Sequence, residues 1–206
     1  MGSSGVQMVC VALGVLGLIG TIVCCAIPQW KVSAFVGQNI VTAQTHEEGL
    51  WMSCVVQSTG QQQCKVYDSI MNLSTGLQAA RAMTIISCMV TSLAILILFA
   101  GSDFTTCVEN EDAKPKISLA AGISLLVGGL LLLIPVSWDA NTTISNFYNT
   151  LVPQKMELGA CIFVGWAASA VLILAGGLLM CFSKRGSSGG VAKYRSNAPP
   201  TNKNYV

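Results

Sequence analysis

Charge is scarce in this chain. Of its 206 residues only 10% are Asp, Glu, Lys or Arg, while 52% are apolar. A soluble domain carries about 25% charged residues, so too few charges are present here to coat a globule in water. The net charge of +2 is too small to mark a nucleic-acid partner. Histidine occurs once, as His46 beside Glu47 and Glu48, and this trio reads as a polar loop rather than a metal or acid–base site. No Gly-rich phosphate loop, zinc-type cysteine spacing or His-Glu pair on a helix appears. Without these, and without a nucleophile–base pair, neither a membrane enzyme nor a cofactor or metal is expected.

What the chain has instead is four long apolar runs. Residues 8–27, 82–100, 117–136 and 158–182 hold 20, 19, 20 and 25 residues with no charge. A membrane-spanning helix needs roughly 20 such residues, and a buried core helix or chance does not explain four of them. The absence of acids and bases within the runs argues against a proton relay or an ion-coupled transporter. Residues 1–7 contain no Lys or Arg, and the first run exceeds the roughly 7–15 apolar residues of a cleaved leader. A retained helix is therefore expected.

The basic residues orient the spans. Lys114, Lys116, Lys184, Arg185, Lys193, Arg195 and Lys203 fall on one side, and Lys31, Lys65, Arg81 and Lys155 in the longer loops on the other. By the positive-inside rule both termini are cytoplasmic. The expected layout is one membrane domain over residues 1–183, with outer segments at 28–80 and 137–157. Residues 184–206, rich in Gly, Ser, Asn and Pro, read as a disordered tail. Glycines recur in the first, third and fourth runs, and small residues let helices approach closely in lipid, either within one chain or across a dimer.

The first outer segment is large enough to fold. Residues 30–34, 36–43, 50–57 and 62–67 are short β-rich runs, the last two separated by Ser58-Thr59-Gly60. That is the pattern of an antiparallel sheet, and 68–78 is more helical. Of nine cysteines only Cys54 and Cys64 lie well outside the membrane. A disulfide across the hairpin is the default in oxidising territory, and a redox pair is the weaker reading. Cys107 and Cys181 lie near the cytoplasmic face, as palmitoylation sites or free thiols. Trp30 and Trp51 are amphipathic rings of the kind favoured at a membrane surface, and Gly49 reads as a turn or bulge.

Trp30, then Gly49-Leu50-Trp51, Cys54 and Cys64 form a W…GLW-x2-C-x9-C arrangement. It resembles the claudin signature. Arg81, Pro135-Val136-Ser137-Trp138, Phe147-Tyr148-Asn149, Gly165-Trp166-Ala167 and a terminal Tyr205-Val206 extend the resemblance over essentially the whole chain. It implies a membrane α+β fold: a left-handed four-helix transmembrane bundle carrying an extracellular five-stranded antiparallel sheet, four strands from the first outer segment and one from the second. It also implies function by assembly at the plasma membrane, in tight junctions, where claudins polymerise in cis and trans and enclose or seal a paracellular passage. The runner-up is an auxiliary subunit of an ion channel or receptor, a group that shares the GLW-x2-C signature.

Residue roles follow from the same resemblance. Lys65 takes the place of a pore-facing Asp in cation-conducting claudins, so a cation barrier or a weakly anion-favouring path is expected, with Lys31 adding to the field and Asp68 opposing it. The alternative is a solvated, screened lysine. Ile70 and Met71 are expected to meet Phe147 and Tyr148 of a neighbour, or else all four pack within one chain. Residues 149–153 resemble an enterotoxin-binding stretch, with Thr150 in place of the usual Pro. Tyr205 and Val206 fit a PDZ ligand, bringing cytoplasmic scaffold proteins as partners besides other claudins and membrane lipid. Asn72 and Asn141 stand in glycosylation sequons and are expected to be unmodified.

Overall fold

The computed structural model describes residues 2–33, 44–57, 59–68, 73–102, 113–149 and 155–193, with backbone alone at 2–4 and 184–193. Four helices dominate it: α1 (Gly2–Ala26), α2 (Thr75–Ala100), α3 (Lys114–Tyr148) and α4 (Ala160–Lys193). All four are long and apolar enough to cross a membrane. Their outward faces remain apolar, with Leu16, Met89, Leu96, Leu130 and Leu174 exposed. Such faces are stable only where lipid is the solvent.

Close backbone approach holds the bundle together. A Cβ on Gly122 of α3 would meet the Gly176 carbonyl of α4, and one on Gly176 would meet the Gly122 carbonyl. Ser87 of α2 donates to the Gly128 carbonyl of α3 at 2.7 Å. These contacts lie within one chain, and small residues at them let the helices approach closely.

The sheet comprises β1 (Lys31–Ser33), β2 (Gln44–Glu48), β3 (Met52–Gln57), β4 (Gln62–Val66) and β5 (Met156–Leu158). It is antiparallel throughout, in the order β4-β3-β2-β1-β5. Four strands come from the first outer segment and the fifth from the second, as the resemblance implies. The β3–β4 turn carries Gly60 at φ 79°, a left-handed conformation that a side chain disfavours. Residues 36–43, expected as a strand, lie outside the described residues, as do 69–72 of the expected helix. The helical reading of 68–78 holds for its end, since Thr75 opens α2.

Two elements depart from the sequence reading. The polar loop at His46-Glu47-Glu48 is strand β2, paired on both sides by β1 and β3. Its backbone is held by two neighbours, so it needs no alternating apolar face. Glu47 is buried, and its two oxygens accept from the Gln29 and Gln62 amides at 3.2 and 3.3 Å. The second departure is length. α3 has 35 residues, or roughly 52 Å at about 1.5 Å per residue, against a hydrocarbon core of roughly 30 Å. It therefore carries the outer segment upward as helix as far as Tyr148. The buried stripe Leu132, Val136, Ala140, Thr143 keeps its helical spacing through Pro135, which explains the continuation. At the other end α4 runs to Lys193 and takes in the first part of the segment read as an unstructured tail.

The core has two parts. One, around Cys10, Leu98, Leu125, Leu172 and Leu179, lies between the helices alone. The other joins the sheet to the bundle, with Trp30 and Leu50 packed on Leu132, Val136, Ala140 and Ile162.

Candidate interaction surface

The residues of the tryptophan-cysteine motif converge on one joint between sheet and helices. Trp30 is only 2% exposed, and its indole N–H donates to the Cys24 carbonyl at 2.8 Å. It is a plug between α1 and the sheet rather than a ring at the lipid surface, which corrects the sequence reading. The indole finds a carbonyl at the end of α1, so burial leaves no polar atom unpaired. Trp51, by contrast, is 36% exposed.

Gly49 lies at the turn between β2 and β3, where a turn was expected, but for a reason other than a left-handed backbone. Its φ is not positive. A Cβ there would strike the Pro28 backbone, so the requirement is close approach. Its N–H donates to the Met52 carbonyl at 3.0 Å. Arg81, from α2, reaches the same loop. Its Nε donates to the Leu50 carbonyl at 2.5 Å, and its guanidinium lies 4.9 Å from the Trp51 ring centre and 5.5 Å from that of Tyr67. Arg81 is buried and holds the Leu50–Trp51 turn against the bundle.

Tyr67 completes this clamp and was missed as a site residue. Its hydroxyl donates to the Gly49 carbonyl at 3.3 Å, and its N–H to the Trp51 carbonyl at 3.4 Å. Burial pushes its phenol above the usual value; the Glu48 carboxylate adds to that and Arg81 opposes it. An aromatic residue closing a strand three places after a cysteine was its only sequence signal. Cys54 and Cys64 form a disulfide between directly opposed residues of β3 and β4.

The sheet register assembles the charges. Lys65, Ser53, Glu48 and Lys31 are successive cross-strand partners, so their side chains share one face. Lys65 is exposed and pairs with Asp68 at 2.6 Å. The hydrogen bond that Lys65 donates to Asp68, then the Asp68 charge, raises the Lys65 pKa. Lys31 is tied to Asp139 of α3 at 2.9 Å, with both side chains mostly buried. Asp139 was not singled out from sequence, because its helix was not foreseen to reach that far.

A second feature lies at the top of α3. Phe147 and Tyr148 stack edge to face at 5.7 Å between centres, with Tyr148 79% exposed. They line a cavity of about 310 Å³ with Met156 and Leu158 of β5. Lys155 caps the helix, donating to the Phe147 and Asn149 carbonyls at 2.6 and 2.7 Å. A lysine at a helix C-terminus satisfies otherwise unpaired carbonyls and suits the dipole. Ile70, Met71, Cys107, Tyr205 and Val206 lie outside the described residues. Cys181 is an exposed free thiol near the far end of α4. Among the described residues no group of three His, Cys, Asp or Glu side chains is placed to hold a metal.

Fold and joint together define a four-span membrane protein whose disulfide-stapled sheet is fixed to its helices by a buried tryptophan and a buried arginine. The PMP-22/EMP/MP20/Claudin family profile matches residues 4–179. Claudin-4 of Chlorocebus aethiops and of Homo sapiens are each 51% identical over 209 residues, covering all of both chains. Claudin-3 of Homo sapiens is 53% identical over 181 residues, covering 87% of this chain and 82% of that one. The chain belongs to the PMP-22/EMP/MP20/Claudin family, among the claudins, and so among the multi-pass membrane proteins of tight junctions.

Proposed function

We propose that this claudin polymerises into strands, side by side within one membrane and head to head across the gap between cells, and forms a paracellular barrier that disfavours cations. The observation that carries the reading is the sheet itself. Five strands, locked to the bundle at Trp30 and Arg81, form one sheet that carries Lys65, Glu48 and Lys31 along one rung of a single face. Both termini are cytoplasmic on this reading, which puts the sheet and the Cys54–Cys64 bond in oxidising surroundings.

The charge balance favours a barrier over an anion channel. Lys65 and Lys31 lie on one rung of the sheet, but each is paired with an aspartate. Glu48 lies between them. The field along that face is therefore weak, and Lys65, at the open edge strand, is the cation nearest a passage. The cavity formed by Phe147 and Tyr148 receives Ile70 and Met71 of a neighbour in the strand. Tyr205-Val206 engages PDZ scaffolds by strand addition, and Cys107 and Cys181 are acylation sites.

The test is electrical. Expressed in an epithelial layer of low resistance, the protein is expected to raise resistance and lower sodium relative to chloride permeability. Lys65→Asp is expected to reverse the second effect, because two carboxylates then face the passage. A sodium-to-chloride ratio unmoved by the substitution would remove Lys65 from the mechanism. A resistance unmoved by the protein, although it sits at cell contacts, would remove the barrier.

A further inference from the structure

A cavity of about 670 Å³ lies between the sheet, the start of α2 and the upper part of α3. Its lining straddles two environments. Met83, Ile134 and Pro135 belong to the charge-free apolar runs, whereas Lys31, Glu48 and Asp139 belong to the sheet and to the extension of α3. The cavity thus crosses the boundary of the bilayer on the sheet side. It is flanked by outward-facing side chains, since Ile134 is 52% and Trp138 69% exposed on α3. The volume is within the range of small-molecule sites.

We propose that this cavity holds the head and upper chain of one zwitterionic phosphocholine lipid from the sheet-side leaflet. The apolar lower wall lies at bilayer depth, where lipid is the surrounding phase and a polar segment of a second copy cannot reach without losing its hydration. The charges at the upper rim select the head. Lys31 and Asp139 satisfy one another at 2.9 Å, and Glu48 has only His46 at 3.6 Å, a cation only when protonated, so the Glu48 carboxylate is the rim charge in excess. The rings of Tyr67 and Trp138 also line the cavity. A carboxylate with aromatic rings is the setting that favours a quaternary ammonium. The opening turn of α2, which has no acidic residue and no side-chain cap, suits the adjoining phosphate. A purely anionic head would be repelled by the Glu48 carboxylate, and a sterol hydroxyl would bring it no positive charge.

The experiment uses the full-length protein in detergent, supplied in turn with dioleoylphosphatidylcholine, dioleoylphosphatidylglycerol and cholesterol. Retention is read by native mass spectrometry, and position by a photoactivatable phosphatidylcholine. Phosphatidylcholine is expected to be retained preferentially and to label residues 75–83 and 134–142. Ala79→Trp, which fills the cavity, is expected to abolish both. Glu48→Gln removes the counter-charge and is expected to lower retention about two- to fivefold, the size of one partly exposed charge contact. Leu96→Trp, on the exposed face of α2, is expected to change neither. Melting and the Cys54–Cys64 bond are checked in each variant; if Ala79→Trp does not fold, Glu48→Gln and the label map of the native chain decide. Equal or better retention of phosphatidylglycerol or cholesterol, labelling elsewhere, or unchanged retention by Glu48→Gln would each overturn the proposal.

Discussion

Arg81 illustrates how a single side chain holds the two halves of the molecule together. Its Nε reaches the Leu50 carbonyl while its guanidinium lies against Trp51 and Tyr67. Arg81→Leu leaves that carbonyl without its charged donor, at a cost of about 1–3 kcal/mol. The variant is expected to melt several degrees lower in detergent; an unchanged midpoint would show that the clamp is not stabilising. Gly49→Ala sets a Cβ against the Pro28 backbone, and overpacking of that kind costs about 1–3 kcal/mol. The same melting measurement checks it. Tyr67 offers a test by titration. Burial first, then Glu48, raises its phenol pKa, with Arg81 opposing. The neutral phenol is thus favoured in the folded state. The stabilisation is complete below the ordinary phenol value and is lost as pH climbs from there through the folded value. The phenolate absorbance missing from Tyr67→Phe is expected to appear only above pH 10, the ordinary phenol value. Coincidence with free tyrosine would contradict the burial. At this scale the sequence identified the motif but not its use. The spacing of Trp30, Gly49 and Arg81 carries no sign of which backbone each one meets, because those meetings join positions far apart in the chain.

Among the elements, the helices were legible and the strands only in part. Uniform apolar runs mark spans without needing a partner, whereas a strand is completed by its neighbours. β1, β3 and β4 carry β-branched or apolar residues. β2 reads Gln-Thr-His-Glu-Glu and is a strand only because β1 and β3 pair with both of its edges. The upper end of α3 was hidden for a related reason. Polar residues replace apolar ones there, but the buried stripe continues through Ala140 and Thr143. Lys155 closes that end. Lys155→Met removes two hydrogen bonds to terminal carbonyls, worth about 1 kcal/mol each net. Amide exchange over residues 145–149 is expected to speed up by about tenfold or more, with the rest of α3 unaffected. Unchanged exchange would mean that the helix ends without the cap.

For the whole molecule, the proposed function rests on a fixed relation between bundle and sheet. The helices supply a platform sealed by glycine contacts and surrounded by lipid. The sheet is fixed on it by Trp30, Leu50 and Arg81 and stiffened by Cys54–Cys64. Such a unit can repeat in a row without deforming, which is what a strand of identical members requires. The membrane architecture and the family were readable from sequence, because both rest on patterns local in the chain. The balance of charge on the sheet was not, because Lys31 meets Asp139 only after α3 extends beyond the bilayer. The most direct measurement is freeze-fracture imaging of fibroblasts without tight junctions that express this chain alone. Continuous intramembrane strands confined to contacts between expressing cells are the expected result. Protein abundant at those contacts with no strands would contradict self-polymerisation.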